Sequence, residues 1–128
     1  MVHYRLLYFD GRGRAEVARQ LFALANQEYV DVRITHEEWP KHKPEMPFGQ
    51  LPVLDVDGKL LGQSHAINRY LARQFGFAGK SPFEEALVDA FADQYRDFYT
   101  EAQPYLYAVW GFVKGDVVSR SLFYSRML

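Results

Sequence analysis

Leu51-Pro52-Val53-Leu54-Asp55-Val56-Asp57-Gly58-Lys59-Leu60-Leu61 decides how this chain folds. Two short apolar runs flank Asp57-Gly58, a dipeptide that tolerates the positive φ angles of a two-residue hairpin, so 51–56 and 59–61 are predicted to pair as antiparallel strands. Pro52 removes a ladder donor near the start of the first run. It therefore marks either an edge strand or a cis Leu51-Pro52 bond that presents the Leu51 backbone to an extended ligand.

Working outward, Gln63-Ser64 places a serine N-cap before a helix over 65–75, with Ile67, Tyr70 and Leu71 on its apolar face and Gly76 as its stop. Upstream, Tyr4, Leu6 and Tyr8 alternate with Arg5 and Leu7 over 3–9, and Asp10-Gly11 ends the run, which predicts a first strand. A helix over 15–25 follows, in which Val17, Leu21 and Leu24, with Ala18, Phe22 and Ala25, recur at helical spacing. Residues 29–34 alternate again, completing a strand-helix-strand unit of the parallel, right-handed kind. Thr35 and Glu38 have capping-box spacing, but Pro40, Pro44 and Pro47 predict a short, broken helix or an irregular loop after them. The order is βαβ, loop, ββα.

After a linker at 77–80, Ser81-Pro82-Phe83-Glu84 combines an N-cap serine, proline at the first helical position and a capping-box glutamate. From Pro82 onward Phe83, Leu87, Ala90, Phe91 and Phe98 keep helical spacing, with Pro104 expected to kink the helix. Strands give way to helix, which predicts two domains, 1–79 α/β and 80–128 all-α.

The 128 residues are 48% hydrophobic and 16% aromatic, a globular composition. Fifteen Lys and Arg against 16 Asp and Glu leave no field that points to nucleic acid or an anionic membrane surface. With no cysteine there is no disulfide framework, thiolate metal site or cysteine nucleophile, so any sulfur chemistry must come from a ligand. No apolar run approaches the ~18 residues of a membrane span, and a cytoplasmic location is expected.

Several residues carry chemical potential. Tyr8 ends the first strand, where α/β sheets place ligands, and reads either as a packed strand tyrosine or as a phenol donor; Arg14 opens the next helix. Gln63 and Ser64 offer an amide, a hydroxyl and the positive end of a helix dipole to a carboxylate, or simply cap the helix. Trp39 and Lys43, four apart, put an indole N–H beside a cation, or a solvated lysine beside a half-buried ring. The four histidines have no metal-site spacing, and no phosphate loop, GxSxG or dinucleotide fingerprint occurs.

Taken together, Tyr8-Phe9, Gly11-Arg12-Gly13-Arg14-Ala15-Glu16, Glu38-Trp39-Pro40, Pro47-Phe48-Gly49-Gln50-Leu51-Pro52-Val53-Leu54, Asp57-Gly58 and Gln63-Ser64-His65-Ala66-Ile67 closely resemble sigma-class glutathione S-transferases. The nematode-like members and the haematopoietic prostaglandin D synthases are the nearest look-alikes. The resemblance implies a thioredoxin-like N-terminal domain that binds glutathione as substrate, without a metal. It implies that Tyr8 donates to the glutathione sulfur, with Arg14 adding positive charge nearby. Gln63 and Ser64 would take the γ-glutamyl carboxylate, the Leu51 backbone before a cis Pro52 would pair with the cysteinyl unit, and Trp39 and Lys43 would hold the glycyl carboxylate. Gly49 and Gln50 shape the same site. Asp97, on the first helix of the second domain, resembles the acid that reaches the ligand's amino group across a homodimer interface.

The implied activity is conjugation of glutathione to electrophilic small molecules, in detoxification, with peroxidase or prostaglandin isomerase activity as in sigma-class relatives. The class also includes lens crystallins, so a non-catalytic, glutathione-binding member is the alternative. The resemblance runs from Val2 to about Asp116, and residues 117–128, VVSRSLFYSRML, depart from it. The family continues through several more helices, so the helical domain is expected to be partial, the chain truncated, poorly soluble and weakly active.

Overall fold

A computed structural model describes residues 1–112. The chain forms a first compact unit, Met1–Ser81, and a second that begins at Pro82. The expected departure from the family over 117–128 lies outside the described residues.

The first unit is a four-stranded mixed sheet in the order β2-β1-β3-β4. Strand β1 (Tyr4–Phe9) leads through helix α1 (Glu16–Leu24) to β2 (Val30–Ile34), which lies parallel to β1 with Leu6 opposite Asp31. Strand β3 (Val53–Val56) runs antiparallel to β1, Leu54 opposite Leu6, and β4 (Lys59–Gly62) antiparallel to β3, Leu61 opposite Leu54. The turn between them has φ of 51 at Asp57 and 84 at Gly58, the paired left-handed conformation that the Asp-Gly signal predicts. Asp55 accepts the Gly58 N–H at 2.7 Å and pairs with Arg5 at 3.3 Å, while Asp57 accepts the His3 N–H at 2.9 Å. Each turn carboxylate is thereby tied to the sheet or to the chain entering it.

Strand periodicity sends Tyr4 and Leu6 to one face of the sheet and Leu7 to the other, and both faces are buried. On the first, Tyr4 and Leu6 pack with Ala15, Ala18 and Phe22 of the α1 segment, Leu54 of β3, and Ile67 and Leu71 of helix α3 (Ser64–Phe75). Phe22 stacks on Tyr29 at 4.2 Å and meets the edge of Tyr4 at 5.3 Å. On the second face, Leu7, Ile34 and Val53 receive Trp39, Met46 and Leu51 from the segment between β2 and β3. That segment is broken as its prolines require: a short helix α2 (Trp39–His42), then single 3-10 turns at Lys43–Glu45 and Pro47–Gly49. The capping box before it is formed, Thr35 N–H and Oγ1 donating to Glu38 and the Glu38 N–H donating back to Thr35 Oγ1. Helix α3 ends on Gly76 at φ 80, with Phe77 N–H bonded to the Ala72 carbonyl and Gly76 N–H to that of Arg73, a Schellman ending.

Of the two readings of Pro52 the cis bond holds: Leu51-Pro52 is cis, and β3, which starts one residue later, lies between β1 and β4 rather than at an edge. Two expectations need correction. Ser64 is not the N-cap of α3 but its first residue; Gln63 takes the capping place with φ 71 and ψ 112. Leu24 is 73% exposed, because it lies about 200° around α1 from Phe22, on the side away from the sheet, and Arg19 is buried in its stead.

The second unit contains helix α4 (Pro82–Val109), which continues through Pro104. Its residues Phe83, Leu87, Phe91 and Phe98 are exposed, and Ala102 is buried.

Candidate functional site

The segments that follow β1, precede β3 and open α3 enclose a cleft of about 400 Å³, within the ~300–1,000 Å³ range of small-molecule sites. Phe9 comes from the end of β1, and Arg14 from the turn before α1. Trp39 and Lys43 come from the proline-broken segment, Gly49, Gln50, Leu51 and Pro52 from its last turn and the cis bond, and Gln63 and Ser64 from the start of α3. Nine of the residues singled out in the sequence thus line one cavity, although they span positions 14 to 64. Phe9 was not among them. Its ring stacks on His36 at 4.7 Å and meets Trp39 edge-on at 5.7 Å, and its only sequence signal was its place beside Tyr8 at the strand end.

Local structure sets each wall. Trp39 is anchored by the buried cluster of Leu7, Ile34 and Val53, and Lys43, one helical turn on, carries its ammonium 5.8 Å from the indole centre. A Cβ built on Gly49, which stands at φ 58, would meet the Lys43 stem at 3.7 Å. Gln63 donates from Nε2 to Gln50 Oε1 at 3.3 Å, which fixes two walls against each other. Ser64 is buried at the first turn of a 12-residue helix, where unsatisfied N–H groups and the dipole favour an anion. The lining carries two cationic side chains, Arg14 and Lys43, and no carboxylate, in a chain whose net charge is −1.

Tyr8 itself is not one of the lining residues. It is half-buried, and its hydroxyl oxygen accepts the backbone N–H of Arg14, a lining residue, at 3.2 Å. A buried cation backs this turn. Arg19 donates from Nη1 to the Gly11 carbonyl at 2.6 Å and to the Arg12 carbonyl at 3.4 Å, pairs with Glu16 at 3.1 Å and Asp31 at 3.3 Å, and has its guanidinium carbon 5.9 Å from the Tyr8 ring centre. Asp31 is shared with Arg33 at 2.9 Å, and Arg33 reaches Asp10 at 2.9 Å.

Asp97 stands on α4 in the second unit, its Oδ1 3.9 Å from Arg96 Nε. Among the described residues no group of three His, Cys, Asp or Glu side chains could hold a metal ion, and no helix is long and apolar enough to cross a membrane.

The sheet order, the cis proline before β3 and the helices packed on the sheet define a thioredoxin-like domain. Residues 5–73 match the family profile described as "Glutathione S-transferase, N-terminal domain". The chain belongs to the glutathione S-transferase family. It is 59% identical over 119 residues to probable glutathione S-transferase 5 of Caenorhabditis elegans, an alignment that covers 91% of this chain and 58% of that protein. Among solved structures it resembles Na-GST-3 of the hookworm Necator americanus, described as monomeric, with 63% identity and a TM-score of 0.89 over 93% of this chain and 58% of the other. It also resembles a Nu-class transferase of Haemonchus contortus, with 65% identity and a TM-score of 0.83 over 91% of this chain and 57% of that one. The chain therefore spans a little over half the length of these relatives.

Proposed function

We propose that the cleft binds glutathione and that the chain acts as a glutathione transferase on electrophilic small molecules. The observation that carries this reading is the composition of the cleft wall. A tripeptide with two carboxylates meets two cations, a helix N-terminus and no opposing carboxylate. Ser64 and Gln63 take the γ-glutamyl carboxylate, Trp39 and Lys43 the glycyl carboxylate, and the Leu51 backbone before Pro52 the cysteinyl unit, while Gly49 and Gln50 shape the floor. Arg14 adds charge near the sulfur.

Tyr8 donates its hydroxyl proton to the glutathione sulfur. The acceptor side of that hydroxyl already takes the Arg14 N–H, which leaves the O–H to donate. Chemistry requires the thiolate: the thiol proton leaves to water, the sulfur electron pair forms a bond to the electrophilic carbon, and a leaving group departs or a double bond is saturated. A free thiol with pKa about 8.5 is only ~3% ionised at pH 7. A hydrogen bond favouring the anion by about 2.7 kcal/mol lowers the pKa by about two and ionises roughly three-quarters of it. A Brønsted slope of about 0.4–0.5 returns part of that gain, leaving roughly threefold at pH 7 and about tenfold at pH 6.

Ultraviolet titration of bound thiolate in wild type and Tyr8→Phe, with conjugation of an activated aryl halide across the same pH range, tests the assignment. The variant is expected to hold glutathione within a few-fold, titrate about two pH units higher and lose more activity as pH falls. An unchanged thiol pKa would remove Tyr8 from the role.

The residue pattern supports a sigma-type class. A detoxifying role in the cytoplasm goes with conjugation of electrophilic small molecules. A homodimer, in which Asp97 of one protomer reaches the ligand's ammonium in the other's cleft, completes the reading. Sedimentation velocity showing only monomer at micromolar concentration in glutathione would count against that last part.

A further inference from the structure

Gly13 lies in the turn between β1 and α1, at φ +35. A Cβ built there would stand 2.5 Å from Tyr8 Oη and 3.3 Å from Cζ, whereas one built on Gly11, two residues earlier in the same turn, meets nothing within 4 Å. The Tyr8 hydroxyl thus occupies the space that any side chain at position 13 would fill. From that space it reaches the Arg14 N–H at 3.2 Å. The backbone just before it is held by Arg19, which donates to the Gly11 and Arg12 carbonyls and is itself anchored on Glu16 and Asp31.

We propose that Gly13 is a positioning residue for the transferase reaction: its missing side chain seats the Tyr8 hydroxyl on the Arg14 N–H, so that its proton is turned to the ligand sulfur. This rests on the reading of Tyr8 as the sulfur's donor. A phenol oxygen that accepts a backbone N–H is polarised into a better donor, and its remaining proton is fixed in direction rather than free to rotate. A methyl group at position 13 drives the hydroxyl off this N–H, and donor strength and aim are lost together.

The test compares Gly13→Ala, Gly11→Ala, Tyr8→Phe and the Gly13→Ala/Tyr8→Phe double variant in the full chain, by thiolate titration with glutathione and by urea unfolding without it. Gly13→Ala is expected to raise the bound-thiol pKa by at least one, which is tenfold less thiolate at any pH below both values. Gly11→Ala should match wild type. In the Tyr8→Phe background Gly13→Ala should raise the thiol pKa no further. Without ligand, Tyr8→Phe should raise the urea midpoint of Gly13→Ala while leaving that of wild type unchanged or lower, because the oxygen at 2.5 Å is the contact that Phe removes; the 3.3 Å approach to Cζ and the backbone strain of a positive φ are common to both backgrounds and cancel. If Tyr8→Phe raises the thiol pKa and Gly13→Ala does not, Gly13 has no positioning role and Tyr8 keeps its own. If Tyr8→Phe leaves the pKa unchanged, both readings fall. Additive effects of the two substitutions on midpoint and pKa would assign Gly13 to backbone conformation alone and overturn the proposal.

Discussion

Replacing Arg19 by methionine keeps a long apolar stem and removes the guanidinium, and the structure allows its effect to be sized. Arg19 is 8% exposed and makes contacts to Gly11, Arg12, Glu16 and Asp31. A hydrogen bond involving a charged group contributes about 1.5–3 kcal/mol, and breaking a fully buried ion pair costs about 3–5 kcal/mol. Three features pull the figure below their sum. Asp31 and Glu16 are 29% and 34% exposed, so water can replace the lost cation. Asp31 also keeps Arg33 at 2.9 Å, and Arg19 Nη2 is buried with no hydrogen-bond partner, a desolvation penalty that methionine removes. The strongest remaining contact is the 2.6 Å bond to the Gly11 carbonyl. We expect Arg19→Met to destabilise the chain by about 2–3 kcal/mol, a large part of a typical ~5–15 kcal/mol margin. Urea unfolding measures it, and the loss should persist at about 1 M salt, where surface pairs are screened. A loss under about 0.5 kcal/mol would show that the buried guanidinium does not hold the turn, and one that vanishes in salt would make it a surface effect.

Ser64→Ala is expected to weaken glutathione binding by about 1–3 kcal/mol in calorimetry, since a ligand carboxylate loses its hydroxyl donor; because Gln63, not Ser64, caps α3, stability should move by no more than about 0.5 kcal/mol. Unchanged affinity would exclude Ser64 from the carboxylate site. The Thr35 backbone N–H, then its hydroxyl, hold the Glu38 carboxyl below the usual glutamate range. A depressed folded pKa stabilises the fold above the unfolded value and ceases to do so as pH falls through the folded one. Glu38→Gln should therefore melt below wild type at neutral pH, the gap closing in acid below the ordinary glutamate pKa; a gap independent of pH would contradict the capping box as its source.

The fold was legible where local chemistry leaves few choices. Asp57-Gly58 can hardly be other than a tight hairpin, Thr35 and Glu38 satisfy each other's backbone, and Gly76 closes α3 in a left-handed turn that a β-carbon would resist. Legibility failed where a distant element decides. Arg19 recurs on no apolar pattern, and its burial depends on Asp31 and on two carbonyls of the preceding turn. Leu24 fits helical spacing, yet the sheet covers the other side of α1. Pro52 left an edge strand and a cis bond open because nothing near it says that β3 is paired on both sides. For the cleft, residue types suggested ligands one by one, and only the fold brings positions 9, 14, 39, 43 and 63 around one cavity. Tyr8 is the inverse: named from its strand position, it is not among the lining residues and is tied to the cleft by the bond that its hydroxyl accepts from the Arg14 N–H.

The sheet order has a consequence for how the cleft comes into being. β1, α1 and β2 form one locally connected half and β3, β4 and α3 another, and within the sheet the halves meet only along the β1–β3 pair, from Tyr4 opposite Val56 to Leu7 opposite Val53. Phe9 and Arg14 belong to the first half, Gln63 and Ser64 to the second. A ligand that touches both is a clasp across that seam, with no affinity for either half apart. Its binding energy is then added to the one pairing that closes a long loop: at a concentration a hundred times its Kd, a clasp of this kind stabilises the joined state by about 2.7 kcal/mol. Amide exchange at Leu6 and Leu54, in the middle of the seam, should slow by about a hundredfold when glutathione saturates the cleft, provided that opening there requires the halves to part.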